Sequence, residues 1–176
     1  MKVRFLIVLS VLSMSCLFSC VNAKEKKEVS YAIQPDSAVC ATLGNTMTDV
    51  LFSPRKVTCY TLKGKSQVEE KDYELEPHYV RDSLIGKLKK EEISILQFEL
   101  LSDDQNYHQD SLKVRSPYVP ALEFCFEKKK IEVHIIISLS NFTWTIFYDG
   151  KRQGNWNYAD KRFMTRYCGM ILKGEE

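Results

Sequence analysis

Cys40 and His134 are the two residues whose types and setting best suit a catalytic pair. A cysteine in the first turns of a helix can have its thiol pKa lowered by the helix dipole. A histidine on a later strand can take the thiol proton, and a polar side chain such as Asn141 or Asp149 can orient the imidazole. Each residue also has an ordinary explanation. Cys40 falls in the apolar stripe of Val39, Leu43 and Met47, as a small core residue does. His134 alternates with Glu132 and Ser138, as an exposed strand side chain does. The flanks Ala38-Val39 and Ala41-Thr42 match no motif of hydrolases that use this order of residues. The sequence therefore leans away from an enzyme and keeps a Cys–His hydrolase as the alternative.

Other chemistry has less to draw on. There is no C-x-x-C, no H-E-x-x-H and no close histidine pair, since His78, His108 and His134 are spread along the chain. Asp104, Asn106 and His108 alternate as in the start of a calcium loop, but Gln109 stands where the sharp turn needs glycine. No metal and no cofactor are expected from these patterns. Glycine-rich phosphate loops and the G-x-S-x-G nucleophile elbow are missing from the sequence. Trp144, Trp156, Tyr118, Tyr148 and Tyr158 are candidates to line a groove for a glycan or a peptide. Aromatic residues in a sheet more often pack in its core.

These residues must be positioned by one domain. The chain has 176 residues, with 25 basic and 23 acidic side chains. The surplus of two lies in Lys2 and Arg4, so the rest of the chain is formally neutral. That argues against non-specific nucleic-acid binding, which needs a basic surface. A hydrophobic fraction of 44% excludes intrinsic disorder.

Pro35-Asp36-Ser37 reads as a helix start, and Val39, Cys40, Leu43, Met47, Val50 and Leu51 recur at helical spacing until Ser53-Pro54. Gly44 weakens that helix. Val57–Leu62 suits a strand, and the polar run Lys63–Glu76 a loop. A second helical region is expected between Ser83 and Leu101, ended by Asp103-Asp104-Gln105-Asn106. Period-two alternation then marks strands at Leu122–Glu127, Ile131–Leu139 and Thr143–Tyr148, with Asp149-Gly150 ending the third. A last helix runs from Tyr158 to Leu172. The expected fold is α+β: an antiparallel meander of three to four strands with one buried face, packed against helices and closed by a C-terminal helix. Four cysteines, Cys40, Cys59, Cys125 and Cys168, allow three disulfide connectivities or remain free thiols.

The address lies ahead of that domain. Lys2 and Arg4 precede an uncharged run from Phe5 to Ala23, the layout of a secretory signal. Leu17-Phe18-Ser19-Cys20 resembles the lipobox of bacterial lipoproteins, with Phe18 departing from the small residue usual at its position. The resemblance implies cleavage after residue 19 and lipidation of Cys20. The alternative is cleavage after Val21-Asn22-Ala23 and release as a soluble secreted or periplasmic protein. Residues 20–34, with the charged Lys24–Glu28, read as a tether, and 35–176 as the single globular domain. That body, with Ser116-Pro117-Tyr118-Val119-Pro120, the meander and the closing helix, resembles small envelope proteins of the Bacteroides type. The resemblance implies no activity and no site. The reading that follows is an exported, lipid-anchored envelope protein, a binding or structural module held to the membrane by its N-terminal lipid. A protein or glycan is the candidate partner, and an immunity-like or inhibitor protein is a further alternative.

Overall fold

Strands that alternate apolar and polar residues need a neighbour on each side and a layer on the apolar face. In the computed structural model, which describes residues 33–64, 79–108 and 119–173, six antiparallel strands meet that need. They are β1 (Lys56–Gly64), β2 (Tyr79–Lys87), β3 (Pro120–Lys128), β4 (Ile131–Ser138), β5 (Thr143–Tyr148) and β6 (Lys151–Asn157). Their order across the sheet is β2-β1-β3-β4-β5-β6. The helices are α1 (Ser37–Phe52), α2 (Lys90–Leu96) and α3 (Lys161–Lys173). A π-helical turn, Gln97–Leu101, continues α2, and a 3-10 turn follows at Asp104–Tyr107. Among the described residues no helix is long and apolar enough to cross a membrane. The signal, Cys20, His78, Gln109 and Tyr118 lie outside the described residues.

The α+β class holds, but the sheet has six strands rather than three or four. Both additional strands are edges. The second helical region does not begin at Ser83: Tyr79–Lys87 pairs with β1, and helix starts only at Lys90. The β1–β2 register shifts twice near Tyr60, so β2 lacks a steady alternation to betray it. The expected strand at Leu122–Glu127 extends back to Pro120. The last helix starts at Lys161, after Asp160 caps it by accepting from Phe163 N–H at 2.8 Å. In α1 the backbone leaves helical geometry at Gly44 (φ 70°), a left-handed value that glycine tolerates, so the helix is kinked there.

All three helices pack on one face of the sheet. Val39, Leu43, Val50 and Leu51 of α1, Leu96 of α2, and Met164, Tyr167 and Cys168 of α3 share a core with Val57, Cys59, Leu122, Phe124, Phe126, Val133, Ile135, Ile137, Trp144 and Ile146. Asn106 fastens its rim. Its side-chain amide donates to the Glu99 carbonyl at 2.9 Å, and its oxygen accepts from Ala159 N–H at 2.7 Å. The Trp144 indole N–H donates to the Asn106 carbonyl at 2.8 Å.

The opposite face departs from the one-sided sheet expected of alternation. Its centre is as closed as the helix side: Ile136 is 1% exposed against 0% for Ile135, and Glu123, Cys125, Thr145 and Phe147 are buried with it.

Candidate functional site

Two rows of cross-strand neighbours define the centre of that second face. One runs Thr58, Cys125, His134, Phe147 across β1, β3, β4 and β5. The next runs Tyr60, Glu123, Ile136, Thr145. Because side chains alternate along a strand, both rows stand on the same side. Arg81 of β2 pairs in register with Leu62 and reaches over the Tyr60 ring, its guanidinium carbon 4.4 Å from the ring centre.

The polar residues of these rows converge on Glu123, which is fully buried. Arg81 grips it with two parallel bonds: Nε donates to Oε2 at 2.8 Å and Nη2 to Oε1 at 2.7 Å. His134 Nδ1 lies 2.8 Å from Oε1. The other ring nitrogen, Nε2, is 3.7 Å from the exposed Glu132 carboxylate. Burial pushes the Glu123 carboxyl up, but the hydrogen bonds and charges of Arg81 and His134 outweigh it and hold the group below the ordinary carboxylate range. Glu123 is thus an ionised carboxylate with charged or polar partners on both oxygens, which is how a buried charge becomes tolerable.

Cys125 stands beside this pair. The ligand atoms of Glu123, Cys125 and His134 all lie within 4.8 Å of one another. Burial, reinforced by Glu132 and Glu123, pushes the Cys125 thiol up to about 12. It is a protonated thiol at neutral pH, without the activation a nucleophile needs. Across the strand gap from Cys125, the Thr58 hydroxyl is buried with no protein hydrogen-bond partner. His134 opens onto a shallow depression of about 390 Å³, lined also by Glu132, Tyr148 and Asp149.

The structure does not bring Cys40 and His134 together. Cys40 is a partly exposed residue of α1, on the helix-covered side of the sheet, whereas His134 points to the other side. Asp149 shares the depression with His134, but the Nδ1 that an orienting group would hold is already on Glu123. Asn141 accepts from the Thr143 hydroxyl at 2.8 Å in the β4–β5 turn. His134 is not the exposed strand residue expected: its side chain is only 13% exposed.

The other candidates resolve into structural parts. Asp104 and Asn106 lie in the 3-10 turn, with Asn106 buried and holding backbone groups, and His108 is exposed and bridges to Asn157. Trp144 and Tyr158 are interior, and the Tyr158 hydroxyl donates to the Ser138 carbonyl at 3.2 Å. Trp156 packs on Trp144 with ring centres 5.0 Å apart, and Tyr107 stands against both. Tyr148 alone of the described aromatic candidates lines the depression. Cys40, Cys59, Cys125 and Cys168 are free thiols, and burial pushes Cys168 up to about 12.

Sequence reasoning missed Arg81 and Glu123 altogether. The signal was present in Cys125, Ile136 and Phe147, apolar residues on the face that alternation assigns to water. No family model matches the chain, and neither the curated proteins nor the solved structures yield a match.

Proposed function

We propose that this chain is an exported protein of a bacterial cell envelope, anchored by a lipid on Cys20, whose α+β domain is a binding or structural module. The observation that carries the reading is Leu17-Phe18-Ser19-Cys20 at the end of an uncharged run that Lys2 and Arg4 precede. The charged stretch Lys24–Glu28 supports it as a solvated tether between anchor and domain. A binding role rather than catalysis is favoured by the chemistry of the buried face. Its carboxylate is neutralised by Arg81 and His134, and its thiol is protonated. The partner is a protein or a glycan of the envelope, met by the surface of a domain held close to the membrane.

Metabolic labelling with an alkyne fatty acid in a bacterial host tests the anchor. The parent chain should take up label and fractionate with membranes. Cys20→Ala, or globomycin treatment of the parent, should leave an unlabelled precursor. Normal maturation of Cys20→Ala to an N-terminus at Lys24 would refute the lipid anchor. Pull-down of the tagged mature chain from envelope extracts, against a parallel hydrolase screen, separates binding from catalysis.

A further inference from the structure

We propose that Glu123, Cys125 and His134 form a binding site for a divalent transition metal, with Zn²⁺ the ion that the donor set suits best. The inference goes beyond the anchor reading and does not depend on it. A carboxylate, a thiolate and an imidazole are the three ligand types of zinc sites, and a mixed sulfur, nitrogen and oxygen set disfavours calcium and magnesium. Two adjacent strands of an antiparallel sheet supply them. Glu123 and Cys125 are two residues apart on β3, and His134 is the direct cross-strand neighbour of Cys125.

The geometry needs little change. Zinc bonds of about 2.0–2.3 Å in a tetrahedral arrangement set ligand atoms about 3.4–3.6 Å apart. The His134 Nδ1 to Glu123 Oε1 distance is 2.8 Å, so this pair opens by about half an ångström. The thiol sulfur lies within 4.8 Å of a ligand atom of each residue, so it would have to move in by about an ångström. On binding, the Cys125 S–H bond breaks, the sulfur–metal bond forms and the proton leaves to solvent. His134 donates Nδ1–H to Glu123 in the metal-free chain, so on binding that proton leaves to solvent, the ring's proton is held on Nε2, and the ring ligates through Nδ1.

Three further features fit a metal rather than a plain ion pair. Nε2 of His134 lies 3.7 Å from the exposed Glu132 carboxylate, beyond hydrogen-bond length, and a small turn of that side chain would make the carboxylate–histidine pair that orients metal-binding imidazoles. Arg81 fixes Glu123 by bonding both of its oxygens, and the lone pair of Oε1 that His134 Nδ1 occupies is the one released to a metal when that nitrogen gives up its proton. The Thr58 hydroxyl, nine-tenths buried and without a protein partner, is the cross-strand neighbour of Cys125 and has a hydrogen bond to give a water in the fourth ligand position. Zn²⁺ with the Cys125 thiolate, Glu123, Glu132 and Arg81 is charge-neutral, and the depression beside His134 provides an entry path.

Metal-free full-length chain, purified in detergent, is titrated with Co²⁺ alone and then with Zn²⁺ alone. One equivalent of Co²⁺ should produce a thiolate-to-cobalt charge-transfer band that Zn²⁺ abolishes. Cys125→Ser should remove the band, and His134→Ala should weaken binding at least about tenfold. Cys20→Ala and Cys40→Ser should leave both unchanged. Zinc absorption-edge spectroscopy of the parent chain should show one sulfur at about 2.3 Å among lighter ligands, a readout that needs no variant to fold. Absence of the band and of the sulfur scatterer would overturn the proposal. So would a band that survives in Cys125→Ser, or cobalt held only by oxygen ligands, which would place it on the exposed acidic cluster Asp36, Asp103 and Asp104.

Discussion

Arg81→Met removes the guanidinium from Glu123 but keeps an unbranched apolar stem of similar reach. The carboxylate, 0% exposed, is then left with His134 alone. Stranding one member of a buried ion pair costs about 3–5 kcal/mol. For a chain of this size each kcal/mol moves Tm by about 2–4 °C, so Tm should fall by about 10 °C. Adding Glu123→Leu removes the stranded charge, and the double variant should return to within about 1 kcal/mol of the parent. The resulting double-mutant cycle then reports a coupling of about 3 kcal/mol. The pH profile carries a sign as well. In the parent the folded Glu123 pKa lies below the ordinary 4.5. Its stabilisation is therefore present above about pH 4.5 and is lost as pH falls through the folded value. In Arg81→Met burial outweighs the one remaining bond, and the folded pKa moves above the ordinary value. That variant should gain stability relative to the parent as pH is lowered from 7 toward 5, a range in which the parent's Glu123 stays ionised and contributes no slope. Urea unfolding followed by fluorescence of Trp144 and Trp156 measures both. A loss under about 1 kcal/mol, or parallel pH profiles, would refute the view of Glu123 as a buried charge that Arg81 neutralises.

Ile135→Asp and Ile136→Asp should both unfold the domain, each costing at least about 3 kcal/mol, because both faces of β4 are buried; circular dichroism with a thermal melt compares them, and a mild Ile136→Asp would reopen the one-sided sheet. Gly154→Ala should cost about 1–3 kcal/mol and red-shift tryptophan emission, since a Cβ there would stand 1.9 Å from Cζ2 of Trp156 and force that ring off Trp144. Iodoacetamide followed by peptide mass mapping should label Cys40 ahead of the buried Cys59, Cys125 and Cys168, and His134→Ala should leave the Cys40 rate unchanged; a rate that His134→Ala abolishes would restore the Cys–His hydrolase.

The meander and its helical cover are legible because their residues answer to one partner layer. Leu122, Phe124 and Phe126 alternate, as do Val133, Ile135 and Ile137, and every one of them meets the helices. Edge strands are less readable, since a strand paired on one side carries fewer apolar residues. β6 reads Lys-Arg-Gln-Gly-Asn-Trp-Asn, with no apolar alternation at all. Its turn was nevertheless written plainly. Asp149 and Gly150 both take positive φ, 53° and 67°, the type I′ hairpin that Asp-Gly favours. Read as a hairpin rather than a strand end, that dipeptide announces a sixth strand. β2 offers no such mark, because its connections on one side fall at residues 65–78 and its register on β1 slips at Tyr60.

The candidate site was illegible for a different reason. Alternation along one strand says which residues share a face, but not whether that face meets water. Glu123 and His134 therefore read as solvated until the face was seen to be closed. Ligands that are close in sequence announce metal sites, whereas these two lie eleven residues apart and meet only through the β3–β4 register. A one-residue slip in that register would send His134 to the helix side and leave Glu123 buried without it. The ion pair with Arg81 and the hydrogen bond to His134 thus penalise every register but one across β2, β1, β3 and β4, and the groups proposed to hold a metal also fix the pairing of the sheet that presents them.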